Sequence, residues 1–224
     1  MRNSILTLSF TVVILVVALS ISIVEVIALK NTKQATVLVP EIIKVHSELF
    51  YYSGTELNSE VKKIIDSGGS QEIINFFTER TSSQRITSVI LNESLRQEVP
   101  ITAAYSLAWG ESRFRENLTN NNGGRSTDWG LFQINDSYRD WTHDEFLDAR
   151  LNTEEGLKYF SYALNVFEGD IVMAIAGYNK GVENVKNGDL ITNLTLVHIN
   201  NITEYNRRLE ADLNLLINRW NNEQ

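Results

Sequence analysis

Glu111 is the side chain of this sequence best placed for acid–base chemistry. It ends the segment ITAAYSLAWGES, residues 101–112, whose apolar residues predict a helix that is buried on nearly every side. Helical spacing puts Glu111 on the same face as Ala104 and Leu107, so we expect its carboxyl group to point into the interior. A carboxyl group kept from water favours its protonated form, which is the form that a general acid needs.

Glu111 also has an ordinary structural explanation. A glutamate at a helix end commonly pairs with a nearby arginine, here Arg113 or Arg115, or lies in water where the helix frays. The choice between these interpretations depends on the segments that follow.

A polar, turn-rich segment comes directly after this helix. It has the sequence RENLTNNNGGRSTDWGLFQIN, residues 115–135, and its Asn-Gly-Gly centre predicts a small β-hairpin. Asp128, Gly130 and Gln133 lie near the end of the segment, where loop residues commonly form a binding surface.

A second buried helix is predicted over residues 170–181, with the sequence DIVMAIAGYNKG. Asp170 is its expected N-cap, and Tyr178 and Asn179 come just before the terminating Gly181. Two hydrogen-bonding side chains at the end of a buried helix indicate the edge of a cleft.

The remaining elements are expected to hold these segments in place. Helices are predicted near residues 56–66, 71–79 and 83–97. A further helix is predicted to begin at a capping box formed by Asn152 and Glu155, and the last helix is predicted from Asn201 to the C-terminus. Residues 188–200 are expected to form a loop. Tyr205 lies in the first turn of the last predicted helix, where a phenol can reach a cleft.

The composition excludes several classes of site. The 224 residues include no cysteine, which removes disulfides, thiol catalysis and thiolate metal sites. A net charge of -8 argues against nucleic acid as a partner, because binding to phosphates needs a concentrated basic surface. His46, His143 and His198 are too widely spaced to indicate a histidine metal site, so we expect no metal and no cofactor.

The N-terminus has the composition of a membrane segment. Residues 5–29 are almost entirely apolar, with Glu25 as their only charge, and about 20 such residues span a bilayer. The segment is either a signal anchor that is retained or a signal peptide that is cut after the small residues at 18–20. In both cases the remainder of the chain is expected to be exported.

Three segments of the chain occur in the order ESRF, STDWGLFQIN and AIAGYNKG. Together they resemble the lytic transglycosylase (SLT) domain of the lysozyme-like superfamily, which is marked by a Glu-Ser pair, a G-L-x-Q-I block, an A-Y-N-x-G block and a later tyrosine. The resemblance spans about residues 84–220 and implies a mostly α-helical, lysozyme-like domain with a small β-hairpin. Lys180 stands where that family usually has a small residue, and we expect it to influence which peptide stems fit.

The resemblance also implies roles for individual residues. Glu111 is then the catalytic acid and base, and Ser112 positions the glycan beside it. The other implied substrate-binding residues are Gly130, Gln133, Tyr178, Asn179 and Tyr205. The family cleaves the β-1,4 bond between N-acetylmuramic acid and N-acetylglucosamine in peptidoglycan and leaves a 1,6-anhydro end, without using water.

Asp128 leaves a second reaction open. The stretch from Glu111 to Asn135 also resembles animal-type lysozymes, in which a second acid makes the reaction a retaining hydrolysis. Asp128 is therefore a candidate second carboxylate, although it can also serve in a turn or as a cap. A non-catalytic wall-binding protein with the same fold is a third interpretation.

The sequence thus predicts three parts. Residues 1–29 form the signal anchor or signal peptide, residues 30–83 a linker and helical extension, and residues 84–224 the catalytic domain. We expect a single-pass protein of the cytoplasmic membrane whose catalytic domain faces the periplasm or cell wall, or a secreted protein if the N-terminus is cleaved. The expected partners are peptidoglycan strands and, through residues 5–29, the membrane.

Overall fold

The secondary structure follows the apolar pattern of the sequence. The computed structural model of the protein describes residues 56–188 and 192–223. Within these ranges helices dominate, which confirms the predicted mostly α-helical class, and a small antiparallel sheet is present. The sheet has three strands rather than the two of the predicted hairpin.

Each helix predicted within the described ranges has a counterpart at approximately the same position, and the structure adds two short helices, at His143–Leu147 and Val182–Lys186. Residues 56–64 are helical and continue into a π-helical turn at Ile65–Gly69. The α-helices that follow are α1 (Ser70–Thr81), α2 (Gln84–Arg96), α3 (Ile101–Ser112), α4 (His143–Leu147), α5 (Ala149–Val166), α6 (Ile171–Lys180), α7 (Val182–Lys186) and α8 (Asn193–Glu223).

The predicted membrane segment, residues 5–29, lies outside the described residues. In the part of the chain that the structure describes, no helix combines the length and the apolar character needed to cross a bilayer. Of the predicted extension at 30–83, the structure describes residues 56–83.

Helix α3 lies at the centre of the core because its first eight residues are apolar or small and all of them are buried. The ring of Tyr105 stacks on Phe77 of α1, with 4.0 Å between ring centroids. The Tyr105 hydroxyl donates a hydrogen bond to the carbonyl of Thr87 in α2 at 2.7 Å, which satisfies its buried polar atom. Because α1 contributes Phe77, part of the predicted extension shares a core with the predicted catalytic domain.

The starts of two helices show where local capping signals succeed and fail. Asp170 accepts a hydrogen bond from the backbone N–H of Met173 at 2.9 Å, which confirms it as the N-cap of α6. The prediction that Asn152 caps α5 is wrong, because Asp148 is the N-cap and accepts from the N–H of Leu151. Asn152 lies inside α5 and is fully buried.

The sheet forms where the chain reverses twice within seventeen residues. Its strands are β1 (Thr119–Asn121), β2 (Thr127–Trp129) and β3 (Ile134–Asn135), paired antiparallel in that order. Asp128 lies on the central strand, opposite Asn120 on one side and Asn135 on the other. The second reversal uses positive φ angles at Gly130 (+76°) and Gln133 (+50°), a local detail that the hairpin prediction missed.

The last helix begins earlier than the sequence predicted. Helix α8 starts at Asn193, so residues 193–200 are helical and not part of a loop. Thr195, Ile199 and Ile202 are buried at spacings of four and three residues, which continues one face of the helix. The β-branched residues of this stretch favour helix weakly, and packing against α3 overrides that preference.

Candidate active site

A cavity of about 690 Å³ lies between the sheet, the end of α3 and helices α5 and α6. The sequence-predicted residues among those that line it are Glu111, Asp128, Gln133, Tyr178 and Asn179. The structure therefore brings together five residues that are spread over 69 positions of the chain. Of the remaining predicted residues, Ser112, Gly130 and Tyr205 do not line this cavity.

Glu111 lies in the last turn of α3, and only 12% of its side chain is exposed. Neither arginine considered as its partner is paired with it. The guanidinium of Arg113 lies 3.4 Å from the ring centroid of Trp109, and the Nε of Arg115 donates to the carbonyl of Ser112. The partner of Glu111 is His198, whose Nε2 lies 3.1 Å from the Oε1 of the carboxyl group.

A close approach of two helices explains how His198 reaches Glu111. A Cβ added at Gly110 would lie 2.3 Å from the Cγ1 of Ile202, so only glycine allows α3 and α8 to come this near. His198 precedes Ile202 by four residues and therefore lies on the same face of α8. The glycine before Glu111 thus sets the position of its partner.

Tyr178 connects α6 to the sheet region. Its hydroxyl donates a hydrogen bond to the backbone carbonyl of Phe132 at 2.7 Å. Burial raises the pKa of Tyr178 well above its usual range, and the negative charge of Glu111 raises it further. The phenol therefore stays neutral, and it lines the cavity near the carboxyl group of Glu111.

Gln133 lines the cavity with a side chain that is already engaged. Its amide nitrogen donates to the carbonyls of Gly130 at 2.8 Å and Leu118 at 3.2 Å. Its amide oxygen accepts a hydrogen bond from Asn120 at 2.6 Å. Gln133 fixes the turn between β2 and β3, and its contact with a ligand is limited to the remaining acceptor position on its oxygen.

Gly130 does not line the cavity, but it packs in the interior next to residues that do. It is buried, and a Cβ at this position would lie 2.5 Å from the amide nitrogen of Asn152. That Asn152 side chain donates to the carbonyls of Trp129 and Phe146 and accepts from the N–H of Phe132. A buried amide thus holds the backbone that carries the cavity wall, and the sequence pattern gave no sign of it.

Asp128 faces the same cavity as Glu111. Its Oδ1 accepts a hydrogen bond from the amide of Asn135 at 2.6 Å, and its Oδ2 accepts from the amide of Asn122 at 2.9 Å. Both carboxylate oxygens of Asp128 are therefore engaged by side-chain amides. The same contacts bind the central strand to its neighbours, so they also suit a structural role.

Ser112 is the last residue of α3 and Tyr205 packs against that helix, and neither lines the cavity. Ser112 is fully buried, and its hydroxyl donates to the carbonyl of Ala108 at 3.1 Å. The ring of Tyr205 stacks on Trp109 with centroids 4.4 Å apart, and burial raises the pKa of its phenol. Both residues support the turn that carries Glu111, and neither is placed for direct contact with a ligand in this cavity.

The cavity lining contains further charged residues. Arg139 forms an ion pair with Glu155, and both line the cavity. Lys180 also lines it, and no hydrogen bond or ion pair of its ammonium group is present among the described residues. Within these same ranges, no cluster of three or more histidine, cysteine, aspartate or glutamate side chains is arranged to hold a metal ion.

Residues 88–192 match the family model described as Transglycosylase SLT domain. This region, slightly less than half of the chain, is similar to a transglycosylase SLT domain. This confirms the resemblance to lytic transglycosylases of the lysozyme-like superfamily, and it supports a transglycosylase enzyme with peptidoglycan as its substrate. The chain matches no curated protein and no solved structure.

The matched residues contain most of the candidate site. Glu111, Asp128, Gln133, Tyr178 and Asn179 all lie within 88–192. His198 lies beyond the match, on the first turns of α8. Its contact with Glu111 is therefore a feature of this chain's tertiary structure that the family match does not include.

Proposed function

We propose that the SLT-like domain cleaves the β-1,4 bond between N-acetylmuramic acid and N-acetylglucosamine and leaves a 1,6-anhydro-N-acetylmuramic acid end. One observation carries this proposal. Glu111 has a side chain that is 12% exposed, at the edge of a cavity of about 690 Å³ that is large enough for sugar rings. This carboxyl group is shielded from water but accessible to a bound glycan.

Glu111 acts twice in the proposed reaction. In its protonated form it donates a proton to the glycosidic oxygen, and the bond to the anomeric carbon breaks as positive charge develops on the sugar. The resulting carboxylate then accepts the proton of the 6-hydroxyl group of the same muramic acid, and that oxygen attacks the anomeric carbon. Glu111 ends protonated, and no water is consumed.

The rest of the cavity supports this use of one carboxyl group. Tyr178 and Gln133 are held by hydrogen bonds to backbone carbonyls, so the wall is rigid before a glycan binds. The phenol of Tyr178 stays neutral and adds no charge beside Glu111. Asn179, which is exposed at the same edge, offers an amide for the sugar's polar groups.

Mass analysis of the released muropeptides tests the reaction directly. The full chain is incubated with purified peptidoglycan, and anhydro products, lighter by one water than hydrolysed ends, are expected. Glu111→Gln should lose at least about a hundredfold in rate while still sedimenting with the wall, because proton transfer by a positioned acid contributes about 10²–10⁴-fold. Reducing ends, or an active Glu111→Gln variant, contradict the proposal.

A matched substitution separates this effect from a general loss of charge. Glu79 has a side chain that is 80% exposed, far along the chain from the cavity residues, and Glu79→Gln should retain full activity. Circular dichroism of both variants checks that they are folded. If wild type and both variants bind the wall without releasing products, the chain is a wall-binding protein and the proposed activity is wrong.

Retaining hydrolysis is the second candidate function, since Asp128 lines the same cavity as Glu111 and its carboxylate accepts hydrogen bonds from two side-chain amides. In that reaction the second carboxylate is the nucleophile or stabilises the positive sugar. Asp128→Asn distinguishes the two. A transglycosylase should keep its rate within a few-fold and its anhydro product, whereas a retaining hydrolase should lose nearly all turnover.

We also propose that the SLT-like domain works outside the cytoplasmic membrane, held there or exported by residues 5–29. The apolar composition of that segment supports this location. N-terminal sequencing of the mature protein tests the two modes. A start before residue 18 in the membrane fraction indicates an anchor, a start near residue 21 in the soluble fraction indicates secretion, and an intact chain in the cytoplasm contradicts both.

A further inference from the structure

The contact between Glu111 and His198 is the feature of the cavity that the proposed reaction does not yet use. Nε2 of His198 lies 3.1 Å from Oε1 of Glu111, and the two side chains are 28% and 12% exposed. The imidazole comes from α8, and other residues that line the cavity come from β2 and α6. In this arrangement His198 contacts one of the two carboxyl oxygens of Glu111.

The charged and titratable groups around this pair come from three further places. Tyr178 on α6 is close enough to sense the charge of Glu111, but its phenol is neutral. Asp128 on β2 and Lys180 on α6 line the same cavity. Arg113, at the end of α3, has its guanidinium on the ring of Trp109. Among the described residues, His198 is the group in hydrogen-bonding distance of the Glu111 carboxyl that can exchange a proton with it.

A carboxyl group alone is a poor proton store at neutral pH. An isolated glutamic acid, with a pKa of about 4.3, is almost fully ionised at pH 7, whereas an isolated imidazole titrates near 6.5. A carboxylate and an imidazole in contact bind protons as a unit. The unit with one proton is either a carboxylate beside an imidazolium or a carboxylic acid beside a neutral imidazole.

We propose that His198 is a positioning residue that stores, at neutral pH, the proton that Glu111 donates to the glycan. This inference rests on the proposed acid–base role of Glu111. When a glycan displaces water from the cavity, separated charges become less favourable, and the proton moves from Nε2 of His198 to Oε1 of Glu111. Rotation of the carboxyl group about its Cγ–Cδ bond then turns the protonated oxygen from the imidazole to the glycosidic oxygen. Glu111 is then in its acid form when the reaction begins.

The proton count closes over one cycle. His198 gives one proton to Glu111, and Glu111 gives one proton to the glycosidic oxygen. The 6-hydroxyl group of the muramic acid returns one proton to Glu111, and the departure of the product lets water back in and restores the carboxylate–imidazolium pair. No proton is taken from or given to solvent, and no further reactant is needed.

The pH dependence of kcat/KM in the full chain tests this role. His198→Gln keeps an amide N–H for the carboxylate but cannot store a proton. We expect its alkaline limb to move to lower pH by about one unit, with a loss of about tenfold at pH 7, little loss at pH 5, and an unchanged KM. His143→Gln is the matched control, because His143 is exposed and stacks on Trp129 outside the cavity, and its profile should equal that of wild type.

Two results overturn the proposal. If His198→Gln loses the same factor at every pH, the imidazole acts by orientation or packing alone. If His198→Gln has the wild-type profile, His198 takes no part. Both results leave the identity of the product, and hence the proposed function, untouched.

Ring ¹⁵N chemical shifts of His198 give a second readout that needs no turnover. At pH 7 we expect both ring nitrogens to carry protons in wild type and only one to do so in Glu111→Gln, since the neutral amide cannot favour the imidazolium. Identical ring shifts in the two proteins overturn the proposal. If the coupling is present but products carry reducing ends, the proton store stands and the transglycosylase outcome fails.

Discussion

The hydroxyl of Tyr178 donates to the backbone carbonyl of Phe132 at 2.7 Å, and this contact joins the last turn of α6 to the turn between β2 and β3. Phe132 is fully buried, so its carbonyl has no access to bulk water. One hydrogen bond thus sets the distance between two walls of the cavity, which are 46 residues apart in sequence. Its removal has consequences for stability and for the cavity.

Tyr178→Phe leaves the buried carbonyl of Phe132 without its donor. An unsatisfied buried acceptor costs about 1–3 kcal/mol, and each kcal/mol lowers the Tm of a domain of this size by roughly 2–4 °C. Thermal unfolding followed by circular dichroism measures the change. Tyr162→Phe is the control, since that ring is 46% exposed and we expect its Tm to equal that of wild type. Equal Tm values for all three proteins would show that the hydrogen bond contributes nothing.

The same residue predicts a dependence of stability on high pH. Burial raises the pKa of Tyr178 in the folded state, whereas tyrosine in the unfolded chain loses its proton near pH 10. The contribution of this phenol is therefore complete below about pH 10 and is lost as the pH rises from there towards the folded pKa. The free energy of unfolding of wild type minus that of Tyr178→Phe should be constant from about pH 6 to 9 and smaller near pH 11. Urea titrations at each pH measure it, and a constant difference up to pH 11 contradicts the prediction.

Gly130→Ala should be strongly destabilising because two effects add. The residue has a φ of +76°, and the new methyl group would lie 2.5 Å from the buried amide of Asn152. We expect a loss of about 2–4 kcal/mol, of which roughly 1–2 kcal/mol comes from the backbone conformation. Gly124→Ala isolates the cost of the backbone conformation, since Gly124 has a φ of +78° and nothing lies within 4 Å of its added Cβ. Denaturant unfolding compares the two, and equal losses would mean that the contact with Asn152 relaxes freely.

Lys180→Gln should change substrate preference more than turnover. Its ammonium group lines the cavity and has no ion pair among the described residues, so it can attract a carboxylate on a peptide stem. A partly exposed pair contributes about 0.5–1 kcal/mol, which predicts a two- to fivefold loss in kcat/KM on intact peptidoglycan at low salt. Glycan strands stripped of their peptides should be cleaved as fast as by wild type.

The control for this prediction is Lys62→Gln, which removes a charge from an exposed residue of the N-terminal helical segment. Its rates on both substrates should equal those of wild type. A loss for Lys180→Gln that is the same on intact and stripped strands would contradict a role in recognising the stems.

Local periodicity predicted much of this fold. The buried helix α3, the N-cap Asp170 of α6 and the inward direction of Glu111 all depend on spacings of three and four residues within one segment. Such spacings are properties of the chain itself, and packing against other elements did not change them here. The family match over residues 88–192 agrees with the same segments.

Contacts between distant segments could not be predicted in the same way. The sequence assigned Gly130 to the cleft and Asn152 to a helix cap. In the structure the two residues pack together in the interior, because a glycine has no Cβ and leaves room for the amide of Asn152. Ser112 was expected beside the glycan, and its hydroxyl donates to its own helix instead. Neither outcome has a signal in the local sequence.

The sequence by itself determined the residue types and the helical face that put a carboxyl group at the end of a buried helix, because a single helix fixes the direction of its side chains. Only the tertiary structure decided which group meets that carboxyl. His198 reaches Glu111 since Gly110 lets α3 and α8 approach closely and since α8 begins at Asn193, well before its predicted start. The pairing of two side chains that lie 87 residues apart depends on how helices pack, and packing is a property of the whole folded unit.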